Sequence, residues 1–196
     1  MKICYALLFF ALSSLSNHLS ATTVIPFKHL GEATQVGEAV VLATVESLFE
    51  TRSDDRVFFD CSLRVLNSAK GALLPDETFV LRQHSFGLGD FTANVAGDFV
   101  PQEGKTYLLF LQRTGDVWRP ITLSYYVFET KKMNGEVFLV PLQESAGIEL
   151  ASRTDGARPE PPGVYRSGAL MDVLQQYANG TKRDWDATPA LTGILT

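Results

Sequence analysis

The sequence predicts a mostly β domain: an antiparallel barrel or small sandwich of five or six strands, with a short N-terminal helix and one C-terminal helix. Three observations support this class. Six segments between residues 39 and 142 have the apolar patterning of strands. Short turns containing glycine or asparagine separate most of them, and no long helical segment lies between them. Helical periodicity becomes clear only after these segments, near the C-terminus.

The first 21 residues have the layout of a secretory signal peptide, with Lys2 before an apolar run and Ala21 at the expected cleavage site. This predicts an exported protein, periplasmic or secreted. Cleavage removes one basic residue and leaves 16 basic against 22 acidic residues, a net charge of −6 (16 − 22). We expect no nucleic-acid partner, because an acidic domain repels phosphates. No later segment has the roughly 20 apolar residues of a membrane span, so we expect no transmembrane segment after cleavage.

The predicted β-barrel domain covers residues 22–150 and begins with a short helix or turn at residues 27–36. Its first strand, residues 39–49, is apolar on both faces in its first half, which is typical of a strand covered on both sides. The second strand, residues 57–66, alternates cleanly and places four side chains inward: Phe59, Cys61, Leu63 and Val65. A third strand is predicted at residues 77–83.

The most apolar strand of the chain lies at residues 107–111 and again is apolar on both faces. A tight turn at residues 114–116 joins it to a strand at residues 117–128, so we expect antiparallel pairing of the two. Asn134 and Gly135 are the strongest hairpin signal in the sequence, because this pair suits the positive backbone angles of a type I′ turn. They lead into a sixth strand at residues 137–142.

The composition changes to proline, glycine and charge at residues 151–166, which predicts a semi-extended linker. A helix and tail follow in residues 167–196. Ser167 is placed to cap the helix, and Asn179 and Gly180 are placed to end it. The apolar positions of the helix keep the spacing of one helical face, so we expect it to pack on the barrel: Leu170, Val173, Leu174 and Tyr177.

The candidate contact loop is residues 85–103, where glycines alternate with Phe86, Phe91 and Phe99. The three rings are interpreted either as an exposed patch for a ligand or partner, or as a lid folded over the end of the barrel. The lid is favoured, because phenylalanine has no polar group to satisfy in water. The loop also carries three acids that a calcium ion would suit: Asp90, Asp98 and Glu103. Solvated loop acids are commoner, so no metal site is predicted.

No catalytic motif is found in the sequence. Neighbours on an extended chain point to opposite faces, so His84 and Ser85 do not form a serine–histidine pair. Paired zinc-ligand spacings are absent, and Cys61 is predicted to be buried and inert. We therefore predict a non-enzymatic binding module without a cofactor, whose partner is a protein or glycan of the envelope or medium. The alternatives are an envelope enzyme with an unrecognised carboxylate site and a protease inhibitor-like partner domain.

Several short motifs also carry a resemblance: residues 39–41, Val65-Leu66 with Lys70-Gly71, Gly87, Gly89, Gly97 with Phe99, and Gly104 leading into residues 108–111. In these the chain resembles a family of exported bacterial domains with an OB-like barrel, akin to netrin-like and TIMP-type modules. The resemblance implies one barrel domain over residues 30–140. It departs at Lys105, where the pattern usually has an acid. TIMP-type inhibitors act through an N-terminal cysteine and disulfides, and the chain after cleavage has neither.

Overall fold

The computed structural model describes residues 22–142, 148–187 and 189–190. The predicted signal peptide therefore lies outside the described residues. The described chain is mostly β, as predicted. Its elements, in chain order, are these: β1 (Thr22–Val24), α1 (Leu30–Val36), β2 (Ala39–Ser53), β3 (Arg56–Lys70), β4 (Thr78–Leu88), β5 (Phe91–Ala93), β6 (Thr106–Thr114), β7 (Val117–Ser124), β8 (Phe128–Met133), β9 (Glu136–Pro141), β10 (Ile148–Leu150), β11 (Tyr165–Arg166) and α2 (Ser167–Ala178).

Five of the strands close into a ring. β2 pairs with β3, β3 with β4, β7 with β6, and β6 with β2, all antiparallel. A single parallel pairing of Leu81 in β4 with Trp118 in β7 completes it. The remaining strands of the main sheet extend outward from the ring: β8, β9 and β11 beyond β6, and β5 beyond β4. A separate parallel pair joins β1 to β10.

The apolar side chains form two layers on either side of β2 and β6. One cluster fills the ring and includes Val41, Leu63, Leu109 and Leu111. The other lies between the outside of the ring and the two helices, where Val40 and Phe110 are joined by Leu170 and Leu174 of α2, among others. β2 and β6 are thus covered on both faces as predicted, and each fully buried Leu or Phe contributes about 1.5–3 kcal/mol.

The two helices are where the sequence placed them, with one difference at a cap. α1 begins after His29, whose Nδ1 accepts a hydrogen bond from the Glu32 backbone N–H at 3.1 Å. α2 packs on the ring as expected. The predicted cap is wrong: Ser167 is the first helical residue and is buried, and no side-chain hydrogen bond caps this end. The predicted end at Asn179 and Gly180 is confirmed, with Gly180 at φ +69°.

Several predicted strand limits are wrong. β4 continues to Leu88, so residues 85–88 of the predicted contact loop belong to a strand, and residues 91–93 form β5. The predicted strand at residues 117–128 is two strands, β7 and β8, separated by a turn at residues 125–127. The Asn134-Gly135 hairpin is confirmed, with φ values of +52° and +86°.

The segment of residues 151–166 contacts the domain near both of its ends, and most residues between are exposed. Arg153 donates to the Pro26 carbonyl and to both carboxylate oxygens of Glu32. Val164 is buried, and Tyr165 is buried in the strand β11, which pairs with β9. This contact brings α2 back to the ring beside α1.

Candidate functional site

The long β2–β3 hairpin, extended by β4 and β5, carries a row of large side chains on its outer surface. Asp60 of β3 is paired with Arg82 of β4. The next residue of β3, Cys61, and the preceding residue of β4, Leu81, both point into the ring. Asp60 and Arg82 therefore point outward. Residues that are paired across neighbouring strands, or lie two positions apart on one strand, share a face of the sheet. The other outward residues are therefore Phe49, Thr51, Arg56, Phe58, Phe86, Leu88 and Phe91. We call these nine residues the aromatic–arginine face.

A buried ion pair anchors the middle of this face. Arg82 donates from Nε to Asp60 Oδ1 and from Nη2 to Oδ2, both at 2.7 Å, and Thr51 Oγ1 donates to Oδ2 at 2.6 Å. The Asp60 side chain is 1% exposed and that of Arg82 18%. The bond to Asp60 raises the pKa of Arg82, against the effect of burial. Two parallel bonds fix the plane of the guanidinium, so Arg82 is held in one position.

Each of two arginines lies over a phenylalanine ring of the face. The guanidinium carbon of Arg82 is 4.2 Å from the ring centre of Phe58, and that of Arg56 is 5.6 Å from the ring centre of Phe86. Cation–π contacts of this kind contribute about 0.5–1 kcal/mol at exposed sites. Phe58 and Phe86 are themselves direct register partners and are half-buried. The centre of the face is therefore ordered and presents both charge and aromatic edges.

The outer members of the face leave much apolar surface in water. Phe91 is 79% exposed, Phe49 41% and Leu88 40%. They are fixed by strand pairing, since Leu88 pairs with Phe91 in the β4–β5 ladder and Phe49 with Asp60 in the β2–β3 ladder. Exposed apolar groups that are contiguous rather than scattered mark interaction sites.

The three phenylalanines of the predicted contact loop have separate positions. Phe99 is fully buried inside the ring, with its ring 4.9 Å from that of Tyr107 at an angle of 78°. It is part of the core and offers no contact surface. Phe86 and Phe91 both belong to the aromatic–arginine face, and Phe91 does not fold back as a lid.

The three loop acids do not converge. Asp98 is buried, accepting from the backbone N–H of Ser85 at 2.7 Å and of Phe99 at 2.9 Å, so it fixes the path of the chain. Asp90 is exposed in the β4–β5 turn. Glu103 accepts from the Leu48 backbone N–H at 3.0 Å. Within the described residues, no group of three or more His, Cys, Asp or Glu side chains is placed to hold a metal ion.

The residue types of a nucleophilic site are present but separated. Ser85 Oγ accepts from the Val95 N–H, whereas His84 Nε2 lies 3.3 Å from the Pro120 carbonyl oxygen. Cys61 is buried as predicted, and burial, together with the charge of Asp60, raises the pKa of its thiol to about 12. A thiol with that pKa stays protonated and unreactive at neutral pH.

A cleft of about 280 Å³ lies beside the face, at one end of the ring. It is lined by residues of β2, β3 and β4 and of the segment before β6: Leu48, Phe49, Glu50, Phe59, Asp60, Gln83, Val100 and Pro101. Its lining is mainly apolar. A cleft of this size could hold one apolar group.

Sequence reasoning missed much of the face: Phe49, Arg56, Phe58, Asp60 and Arg82. One signal was available, because the clean alternation of the second strand already assigned Phe58 to its outward side. A large apolar residue on a solvent-facing position of a strand is informative. The register that brings these residues beside Phe86 and Phe91 joins distant parts of the chain and has no local sequence signal.

Comparisons of this chain with protein-family models, with curated proteins and with solved structures found no match. Among the described residues, neither helix is long and apolar enough to cross a membrane.

Proposed function

We propose that this protein is an exported, non-enzymatic binding module that recognises another protein through the aromatic–arginine face. The observation that carries the proposal is that exposed Phe49, Leu88 and Phe91 share one surface with Arg82 and Arg56, each of which lies over a phenylalanine ring. Aromatic residues and arginine are the types enriched where protein surfaces meet.

A protein partner fits this surface better than a glycan. The exposed rings are phenylalanines, which have no hydroxyl or ring nitrogen to bond to sugar hydroxyls. The Asp60 carboxylate, a strong hydrogen-bond acceptor, is 1% exposed and already bonded to Arg82 and Thr51. Apolar burial is therefore the main source of binding free energy, at about 25 cal/mol per Å² of apolar surface before the costs of association.

We also propose that the ring is an OB-like barrel of the netrin-like kind. Support comes from its strand order, β2-β3-β4-β7-β6 and back to β2, with one parallel pairing between β4 and β7. Two helices that pack together on one side of the ring add to it. Export is proposed from the first 21 residues alone, and mass spectrometry of the native protein tests it by looking for an N-terminus at or near Thr22.

The alternatives have less support. An envelope enzyme with a carboxylate site would rest on Asp90 or Glu103, but Asp90 is exposed in the β4–β5 turn and Glu103 accepts from the Leu48 N–H. An inhibitor of TIMP type would need the N-terminal cysteine that the exported chain is expected to lack. No specific observation favours either function.

Affinity capture from the periplasmic extract or culture medium tests the proposal. The immobilised protein is compared with Phe91→Asp, which places a charge at the most exposed ring of the face, and with Leu74→Asp. Leu74 is the matched control, because it is an apolar residue 56% exposed on the connection between β3 and β4.

We expect the unchanged domain and Leu74→Asp to retain the same protein in similar amounts. Phe91→Asp should retain at least about tenfold less of it, the loss typical when a residue that dominates a binding interface is changed. Equal retention by all three would refute the assignment of the face. Release of the captured material by glycan digestion would instead show that a glycan is recognised.

A further inference from the structure

One edge of β2 is open over the outer part of the long hairpin. β6 pairs with β2 only from Ala39 to Thr44, whereas β3 accompanies β2 as far as Ser53. Leu48 donates its backbone N–H to the side chain of Glu103, so its N–H points away from β3. Backbone direction alternates along a strand, so the backbone groups of Glu50 and Arg52 also point to the open side. Within the described chain, no backbone partner meets them there.

We propose that this edge pairs antiparallel with the same edge of a second copy of the protein, across a two-fold axis at Thr51. An unpaired strand edge is a template for another strand, and a two-fold interface between identical chains is the commonest form of oligomer. The proposal concerns the strand edge and does not depend on the binding partner proposed for the face.

Of the axes at Glu50, Thr51 and Arg52, the charges favour the one at Thr51. An axis at Glu50 would place the two Glu50 carboxylates opposite each other, and an axis at Arg52 would do the same with two guanidinium groups. An axis at Thr51 places Glu50 of each copy opposite Arg52 of the other, twice. Directly opposed unlike charges stabilise a strand pair, and like charges destabilise it.

These two side chains are available for the pairing. The Arg52 side chain is 77% exposed and that of Glu50 53%, and within one copy they form only a long contact of 3.7 Å. An exposed contact of that length contributes little. The pairing would exchange it for two shorter contacts between copies, alongside the backbone hydrogen bonds of Glu50 and Arg52.

The pairing would join two copies into one continuous sheet. Phe49 and Thr51 lie on the outer surface of β2, so the aromatic–arginine faces of the two copies would become neighbours across the axis. A partner would then meet a surface of twice the width. The strand contact is short, so we expect a weak dimer with a dissociation constant on the order of 0.1 mM.

Sedimentation equilibrium of the purified protein, up to about 1 mM because the interface is small, tests the pairing. The comparison uses Glu50→Arg, Arg52→Glu and the double exchange Glu50→Arg/Arg52→Glu. Each single variant creates two like-charge contacts and should weaken dimerisation at least about tenfold, and the double exchange should restore it to within about threefold. A monomer throughout the range, or a dimer indifferent to these variants, would overturn the proposal.

Crosslinking tests the position of the axis. Two cysteines introduced by Thr51→Cys would face each other as a non-hydrogen-bonded pair, with Cα atoms about 4.5 Å apart, inside the range of a disulfide. Ser53→Cys is the matched control. With the axis at Thr51, position 53 of one copy lies opposite position 49 of the other, so the Cα atoms of the two introduced cysteines would be about 14 Å apart. We expect a disulfide dimer from Thr51→Cys only. Failure of Thr51→Cys to crosslink under mild oxidation, or equal crosslinking of the control, would refute the axis.

Discussion

The inward position of Cys61 on β3 keeps its thiol away from reagents in solution. Its thiol is fully buried among the apolar residues of the ring, and Sγ donates a weak hydrogen bond to the Leu81 carbonyl at 3.6 Å. We expect slow reaction of the folded protein with a thiol reagent and fast reaction after unfolding. Cys61→Ala should lower the free energy of unfolding by about 1 kcal/mol, because it leaves a small cavity. Fast labelling of the folded protein would contradict the assigned phase of β3.

We expect His29 to make the stability of the protein depend on pH. It lies under Trp185, with ring centres 5.4 Å apart and planes at 2°, and its Nδ1 caps α1. Burial lowers the pKa of His29 below its ordinary value of 6.5, although the nearby carboxylates of Glu32 and Glu160 partly oppose this. The unfolded chain therefore binds this proton more tightly than the folded protein does.

The stabilisation from neutral His29 is accordingly complete above the unfolded pKa of 6.5 and is lost as the pH falls below it. We predict a melting temperature that decreases between about pH 7 and pH 5, the interval in which histidine gains its proton. His29→Asn keeps a capping side chain without a titrating ring, so its melting temperature should vary less over that interval. Equal pH dependence in the two proteins would show that His29 is not the group responsible.

At the scale of the element, Lys70 joins α1 to the end of β3. Its ammonium donates to the carbonyl oxygens of Thr34, Gln35 and Gly37, which lie at the C-terminal end of α1, at 2.7–2.9 Å. Gly71 follows at φ +96°, and a Cβ there would lie 2.5 Å from the Glu38 carbonyl oxygen. The Lys70-Gly71 pair in the sequence resemblance thus has a structural role in this chain.

We predict that Lys70→Met lowers the free energy of unfolding by about 1–2 kcal/mol, because three carbonyl groups lose a charged donor. Urea denaturation measures the loss. Lys132→Met, at an exposed position of β8, is the control and should change stability by less than about 0.5 kcal/mol. A similar effect of both substitutions would show that the contact with α1 is not important for stability.

Local patterns described β2, β3 and β6 well, although the β2–β3 ladder is irregular at three places. β2, β3 and β6 keep a simple alternation or a doubly apolar run, and the hairpin at Asn134 has its own turn chemistry. β4 was predicted too short because Gln83, His84 and Ser85 are polar and stand opposite Phe59 alone, so no local apolar pattern marks this part of the strand. β7 ends where Leu123 adopts φ +55° and Ser124 bonds to the Gly97 carbonyl, a contact that tertiary structure imposes.

For the whole molecule, the sequence predicted the class of fold better than the site. Phe86 and Phe91 were among the predicted contact residues and do lie on the face, but Phe99 was needed for the core and Asp98 for the backbone of the same segment. The face itself collects Phe49, Phe58 and Arg82 from strands whose register is set by long-range packing. Such a surface is visible only once the sheet is assembled.

Site-specific photocrosslinking tests the role of the face most directly. A photoreactive phenylalanine analogue replaces Phe91 in one variant and Leu74 in the other. Each variant is mixed with an envelope extract, or with the culture medium, of the cells that produce the protein, and is then irradiated. We predict a covalent adduct with one distinct protein from position 91 and none from position 74. An adduct of the same protein from position 74, or none from position 91, would contradict the account of the aromatic–arginine face as the contact surface.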